Sequence, residues 1–369
     1  QLHARALVIA AGCFDLPVVF PGWNLPGVMS AGGIQAFIKS QQFVPGERFL
    51  LAGSHPLQLV VADQIVQAGG SVAGVLFSQR AGRALALLRH PSVVLRNADK
   101  LIQTAAILRR LRAAGVPVRF NRTLLRANGR DSLQSVTTVP VGPAGELGRD
   151  AADDVACDRL GVCFGFLTSS ELARQAGVAC VWDAARGGWI ARHDGNMSSD
   201  VPGIYVAGET TGVAGSDVAA LEGRLSGIAC AGWLGKIDGA RVSRLSSAPR
   251  RALERRNRFA RLLGRLAWPG TGLFDELMTD SATLCKCEEL TVGQLKTLLR
   301  RHPDTGTASS AKLLSRAGMG LCQGRYCHFA LTRVLARHLG VTDSEIGGFT
   351  ARFPSKPVLI ENLIDGAPD

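Results

Sequence analysis

The first strong signal along the chain is an uninterrupted apolar run, Ala6 to Ala11, within residues 4–12 and ending on Gly12. That pattern predicts a buried strand entering a small-residue turn. A loop punctuated by Pro17, Pro21, Gly22, Pro26 and Gly27 follows, then a helix from Gly32 to Gln41. Residues 48–77 read as a βαβ unit. Its parts are strand Arg48–Gly53, turn Ser54-His55-Pro56, helix Leu57–Ala68 ended by Gly69-Gly70, and strand Ser71–Phe77. A basic helix over Asp99–Ala114 and strands over Val116–Phe120 and Leu133–Val141 come next. A further apolar strand spans Val155–Phe164 and a polar helix Ser169–Gln175. The last strand, Gly203–Gly208, runs through Glu209-Thr210-Thr211 into a helix with Leu221, Leu225 and Ile228 on one face. Alternating strands and helices of this kind predict an α/β protein.

Composition adds less than pattern. With 43 Gly and 6% aromatic residues, the chain fits α/β architecture with many tight turns. Its 369 residues suffice for two or three domains, and no apolar run is long enough to cross a membrane. The first apolar run is too short for a signal-peptide core. Net charge is +12, and residues 236–265 alone carry ten Lys/Arg against Asp238 and Glu254. We read this stretch as a solvated helix face or a partner surface, since motifs for nucleic-acid binding are absent.

Cysteine spacing changes the picture. Cys13, Cys157, Cys163, Cys180 and Cys230 are scattered in apolar segments and read as small buried hydrophobes. The other four are clustered as Cys285-Lys-Cys287, 34 intervening residues, then Cys322-Gln-Gly-Arg-Tyr-Cys327. Clustering of this kind implies a reducing compartment and a metal site. In an extended segment, residues i and i+2 face the same way, so Cys285 and Cys287 can offer two thiolates to one iron site. Cys322 and Cys327 can do the same across a Gly-containing loop. A capping box at Thr291–Gln294 opens a helix striped by Leu295, Leu298 and Leu299. A second helix after Cys327 carries Leu331, Val334, Leu335 and Leu339. The Cys285-x-Cys287 pair falls outside the Cys-x2–4-Cys spacing usual for structural zinc, so a [2Fe-2S] cluster is preferred, with zinc as the competitor. Lys286, Arg316 and Arg325 flank the ligands and are placed to offset the cluster's negative charge.

The two halves of this module, Cys-x-Cys-Glu-Glu-Leu-Thr and Gly-Met-Gly-Leu-Cys-Gln-Gly-Arg-Tyr-Cys, resemble the bacterioferritin-associated-ferredoxin-type [2Fe-2S] domain. Upstream, Leu7-Val-Ile-Ala-Ala-Gly12 and Phe20-Pro-Gly-Trp-Asn-Leu-Pro-Gly-Val-Met-Ser-Ala-Gly-Gly33 resemble the FAD-dependent alpha subunits of bacterial amino-acid and opine dehydrogenases. That group includes the corresponding chains of opine oxidase, hydrogen cyanide synthase and proline/hydroxyproline dehydrogenase. The resemblance extends to the tail at Arg352-Phe-Pro-Ser-Lys-Pro-Val. It implies a disulfide-reductase-like flavoprotein with two dinucleotide-binding domains plus a small helical [2Fe-2S] domain. The FAD domain is expected at 1–46 and 150–235, an inserted nucleotide-binding-like domain at 47–149, a basic linker at 236–280, the cluster domain at 281–342 and an extended tail at 343–369.

By the same resemblance, FAD is held by the Ala11-Gly12 turn and by Gly208, Glu209, Thr210 and Thr211. An acid at a strand end can accept a ribityl hydroxyl, and the following helix N-terminus faces phosphate or flavin oxygen. The Gly-x-Gly-x-x-Gly unit that opens such flavoproteins is absent from these residues, which leads us to expect a piece of a longer chain. The second unit lacks a nicotinamide fingerprint. His55 stands where a Gly would admit pyrophosphate, and Ser78-Gln79-Arg80 stand where an acid would hold ribose. Arg80 and Arg83 remain placed to meet a phosphate, and His55 reads as a packing or capping residue. No Ser-His-Asp or Cys-His set is visible, so no catalytic residue is assigned.

The implied function is an electron-transfer subunit carrying FAD and [2Fe-2S]. Its implied partners are a small ferredoxin-like subunit, together with an amine-oxidising flavoprotein beta subunit. The location is expected to be cytoplasmic, with any membrane contact made through partners. Two alternatives stay open: an NAD(P)H-dependent ferredoxin-type reductase, and a zinc-stapled basic binding module.

Overall fold

A computed structural model describes residues 3–142 and 145–361, so residues 362–369 of the expected tail lie outside the described part. The chain opens with strands β1 (Leu7–Ile9), β2 (Cys13–Asp15) and β3 (Val28–Ser30), then helix α1 (Ala31–Ser40). Ser30 caps α1, its hydroxyl accepting from Gly33 N. The predicted βαβ unit follows as β4 (Arg48–Gly53), α2 (Leu57–Gln67) and β5 (Ser71–Phe77). Helices α3 (Pro91–Leu95) and α4 (Ala98–Ala113) lead to β6 (Val118–Phe120), β7 (Arg122–Asn128), β8 (Ser135–Pro140), β9 (Asp153–Ala156) and β10 (Arg159–Cys163).

One parallel sheet, in the order β3-β10-β4-β5-β6, is the largest of the described residues. It draws β3 and β10 from either side of residues 47–149. Its strands are almost wholly apolar, as expected of a parallel sheet covered by helices on its faces. Phe49, Leu51, Val61, Ile65, Val75 and Leu111 form one buried cluster with Ile34 of α1. Strands β7, β8 and β9 form a separate antiparallel sheet.

The remaining body elements are β11 (Phe166–Thr168), α5 (Glu171–Gln175), β12 (Cys180–Asp183), β13 (Gly188–Ala191), β14 (Ile204–Val206) and α6 (Ser216–Trp233). β14 runs parallel beside β1, and β11 pairs antiparallel with β2. The stretch expected as a basic linker folds instead as two helices, α7 (Gly239–Ala267) and α8 (Thr271–Leu277). Asp238 caps α7, its carboxylate accepting from Arg241 N at 2.7 Å. Arg, Ala and Leu are strong helix formers. Ser246, Pro249, Leu253 and Phe259 turn inward while most of the arginines face solvent.

The C-terminal module starts with the hairpin β15 (Thr283–Cys285) and β16 (Leu290–Thr291), then α9 (Val292–Arg301), α10 (Ala308–Ser315), α11 (His328–Leu339) and α12 (Asp343–Ile346). The Thr291–Gln294 capping box forms in both directions, as the sequence predicts. One hydrophobic core runs without a break from the body into this module. Phe274 of α8 stitches them: its ring meets Phe164 edge-on at 5.6 Å and Phe329 at 5.3 Å.

Two buried polar features set how this fold responds to mutation and pH. Arg333 of α11, 8% exposed, bonds Asp275 at 2.7 Å and Asp343 at 2.6 Å. Replacing Arg333 by Met strips Asp343 of its ion-pair partner and leaves Asp275 only the more distant Arg337 at 3.9 Å, with an expected cost of about 3–5 kcal/mol. Urea denaturation of the Arg333→Met chain against the parent measures it. Glu222 of α6 is 2% exposed. Burial pushes its carboxyl up to about 7, although the Thr211 hydroxyl at 2.9 Å and nearby Arg186 pull the other way. The folded state therefore holds this proton more tightly than the unfolded chain. Stability from this group is full below about pH 4.5 and is lost as pH rises through about 7. Glu222→Gln should raise the melting temperature at pH 8 and leave it nearly unchanged at pH 5. An equal shift at both pH values would refute the assignment.

Candidate functional site

The β1–β14 pairing gathers the six residues expected at FAD. Ala207 N donates to Ile9 O at 3.0 Å, which sets the ends of the two strands level. Ala11 N then donates to Thr210 Oγ1 at 3.1 Å across 199 residues of sequence. Gly12 takes φ +75°, and a Cβ there would meet no atom within 4 Å, so the turn faces open space. Gly208 to Thr211 form one short helical turn ahead of α6. Thr210 and Thr211 are buried; the Glu209 carboxylate is partly exposed and accepts from Cys13 Sγ at 2.8 Å. Burial, with Glu209 beside it, pushes the Cys13 thiol far above its usual range, so Cys13 serves as a neutral donor. The open turn, the strand-end acid and the following helix fit the ribityl and flavin side of a bound FAD. Cys13, Arg186 and Glu222 were not singled out from sequence. Cys13 could have been found, because it directly follows the Ala11-Gly12 turn.

The four clustered cysteines also come together. Cys285 and Cys287 lie on the β15–β16 hairpin, and Cys322 and Cys327 on the loop entering α11. The two loops meet where a Cβ on Gly320 would fall 2.2 Å from Cys287 Cβ, so only glycine fits there. The fold brings thiols from the two loops near one another, Cys327 beside Cys285 and Cys322 beside Cys287, and all four are free. The Cys327 hydrogen bond, with backbone groups of Gly318, Glu288 and Cys287, holds the Cys285 thiol down to about 5 despite its burial. Cys327, hydrogen-bonded to Cys285 and buried, shifts the opposite way.

Among the described residues, no three His, Cys, Asp or Glu side chains are grouped to hold a metal ion, so the arrangement does not itself show the expected metal centre. Four thiols from two loops are a donor set that a two-iron cluster, which takes thiolates two by two and needs N–H donors at sulfur, could use. The three cations expected beside the sulfurs have other partners. Lys286 Nζ sits 4.0 Å from the Trp23 ring centre and donates to Trp23 O at 3.2 Å. Arg316 pairs with Glu288 at 2.9 Å. Arg325 stacks 4.9 Å over Phe14.

The second nucleotide-type turn is closed off. His55 Nδ1 accepts from Leu57 N at 3.2 Å and its ring meets Phe166 edge-on at 5.1 Å, the capping and packing role read from sequence. Burial holds this His down to about 4. Gln79 donates to Ala267 O at 3.0 Å and Arg83 to Trp268 O at 3.1 Å, so the end of α7 lies across the sheet edge.

Comparison with known proteins places this geometry. The family model described as pyridine nucleotide-disulphide oxidoreductase matches residues 1–232. A chain of opine oxidase from Rhizobium meliloti is 30% identical over 98% of this chain and 76% of its own length. Hydrogen cyanide synthase subunit HcnB of Pseudomonas aeruginosa is 32% identical over 97% of this chain and 75% of its own. The crystal structure of L-proline dehydrogenase from P. horikoshii shares the fold, with a TM-score of 0.65 at 20% identity. That match covers 98% of this chain, which spans 58% of the solved chain's length. The chain therefore belongs to the pyridine nucleotide-disulphide oxidoreductase family, among its flavin-dependent oxidoreductases.

Proposed function

We propose that this chain is the FAD- and [2Fe-2S]-containing electron-transfer subunit of a heteromeric dehydrogenase that works on a C–N bond of an amino acid or opine. Its partner is an amine-oxidising flavoprotein chain, a reading supported by the names of its relatives. One observation carries the reading. Phe14, two residues beyond Gly12, stacks under Arg325, which lies between Cys322 and Cys327. The turn facing the flavin and the loop bearing the thiols thus share a single contact.

When bound, FAD supplies two-electron chemistry and the cluster one-electron chemistry, which suits a step from amine oxidation to a one-electron carrier. The chain's own contribution is to place and shelter them. Glu209 orients a ribityl hydroxyl, and Gly12 leaves the flavin path clear. The Cys327 thiol, with backbone groups of Gly318, Glu288 and Cys287, favours the thiolate form of Cys285 needed for ligation. The NAD(P)H-reductase alternative is disfavoured by the covered turn at His55.

Anaerobic reconstitution of the full chain with iron and sulfide, then reduction by dithionite, is expected to give an S = 1/2 EPR signal. Cys285→Ser and Cys322→Ser, one from each loop, should each abolish it. Zinc retained in place of iron, with no signal, would overturn the redox reading of the module. Separately, NADH should leave the flavin absorbance of the loaded protein unchanged; rapid bleaching would favour the reductase alternative instead.

A further inference from the structure

A cavity of about 600 Å³ lies between the body and the C-terminal module, within the size range of small-molecule sites. Its walls come from β11, α5 and β13 on one side. On the other they come from α10, the loop entering α11 and residues 349–357. Phe14, Gly320 and Arg325, already placed where the body meets the thiol loops, lie in its wall; Ala11, Gly12, Glu209 and the four clustered cysteines do not.

Three features define what it would take. First, Arg174, Lys312 and Arg325 line it, and none of the three has a carboxylate within 4.0 Å among the described residues. Glu171 is the one acid in the wall among the described residues. Second, three buried polar atoms of residues in the wall lack a hydrogen-bond partner among the described residues: Trp189 Nε1, Thr332 Oγ1 and Ser355 Oγ. Thr332 is 3% exposed, and an indole N–H can only donate. Third, the Arg174 guanidinium and the Trp189 indole N–H lie together beside Gly348: a Cβ built there would fall 2.9 Å from Arg174 Nη1 and 3.2 Å from Trp189 Nε1. Donors without acceptors, next to uncompensated cations, call for an oxyanion. The Trp182–Trp189 pair, with ring centres 5.5 Å apart, supplies an apolar wall for a flat molecule.

We propose that this cavity is a binding site for a small planar molecule bearing an oxyanion, phosphate or carboxylate. The anion sits against Arg174, Trp189 Nε1 and Thr332 Oγ1, and the flat part lies toward Trp182. The proposal does not depend on the metal content of the module, so the spectroscopic test above and the one below fail independently.

Isothermal titration calorimetry of the full chain with phenyl phosphate, benzoate and benzyl alcohol tests it. At least one anion should bind with one-to-one stoichiometry while benzyl alcohol does not. Whichever anion binds more tightly identifies the phosphate or the carboxylate source. Arg174→Ala and Lys312→Ala should each weaken the anion at least tenfold, and Trp189→Phe, which keeps an aromatic ring and removes the N–H, severalfold. Lys312 is only partly buried, so its variant keeps the test open should Arg174→Ala not fold. Binding of benzyl alcohol as tight as the anions, no binding of either anion, or affinities unmoved by the Lys312 and Trp189 variants would each overturn the proposal.

Discussion

The constraint on which this structure rests is the sharing of one apolar core by two segments of different architecture. Phe274, 1% exposed, belongs to neither the parallel sheet nor the cysteine loops, yet its ring contacts Phe164 at the end of β10 and Phe329 at the start of α11. Trp268 closes on the same ring at 5.5 Å. Removing a buried Phe typically costs about 3–5 kcal/mol. Here the loss would fall on the seam that sets the distance between the Gly12 turn and the thiols. The module is therefore held as part of the body's interior, and its position is as fixed as interior packing is.

This arrangement also separates what could be read from the sequence from what could not. The β4–α2–β5 unit was legible because its strands are continuous apolar runs and Gly69 stops the helix. The Thr291–Gln294 box was legible because both of its hydrogen bonds are local. The candidate FAD residues were legible only as two separate pieces, since Ala11 and Thr210 meet through a pairing of strands nearly 200 residues apart. Parallel pairing is non-local, so nothing near β3 or β10 announces that β10 inserts between β3 and β4. The long helix α7 was legible as a solvated, basic helix face, but its inner side was not: its many arginines drew attention to charge, while the sparse inward positions Leu253 and Phe259 carry the packing. Which thiols lie beside one another across the two loops was not legible at all. It follows from how the hairpin meets the loop at Gly320, and spacing within either segment cannot specify that.

The seam's charges follow from the same burial. A carboxylate placed beside Lys286 or Arg325 would form a desolvated ion pair, and such pairs often gain little after the cost of leaving water. The chain instead faces Lys286 with Trp23 and Tyr326, and Arg325 with Phe14. An aromatic face attracts the cation without cancelling its charge. The consequence is a junction that is mechanically tied yet remains electropositive. Carboxylates in those places would have secured the seam equally well and cancelled both charges. The choice of aromatic partners thus docks the module while leaving Lys286 and Arg325 uncancelled on the segments that carry the cysteines, where Cys285 itself is held down by the Cys327 thiol and by backbone donors.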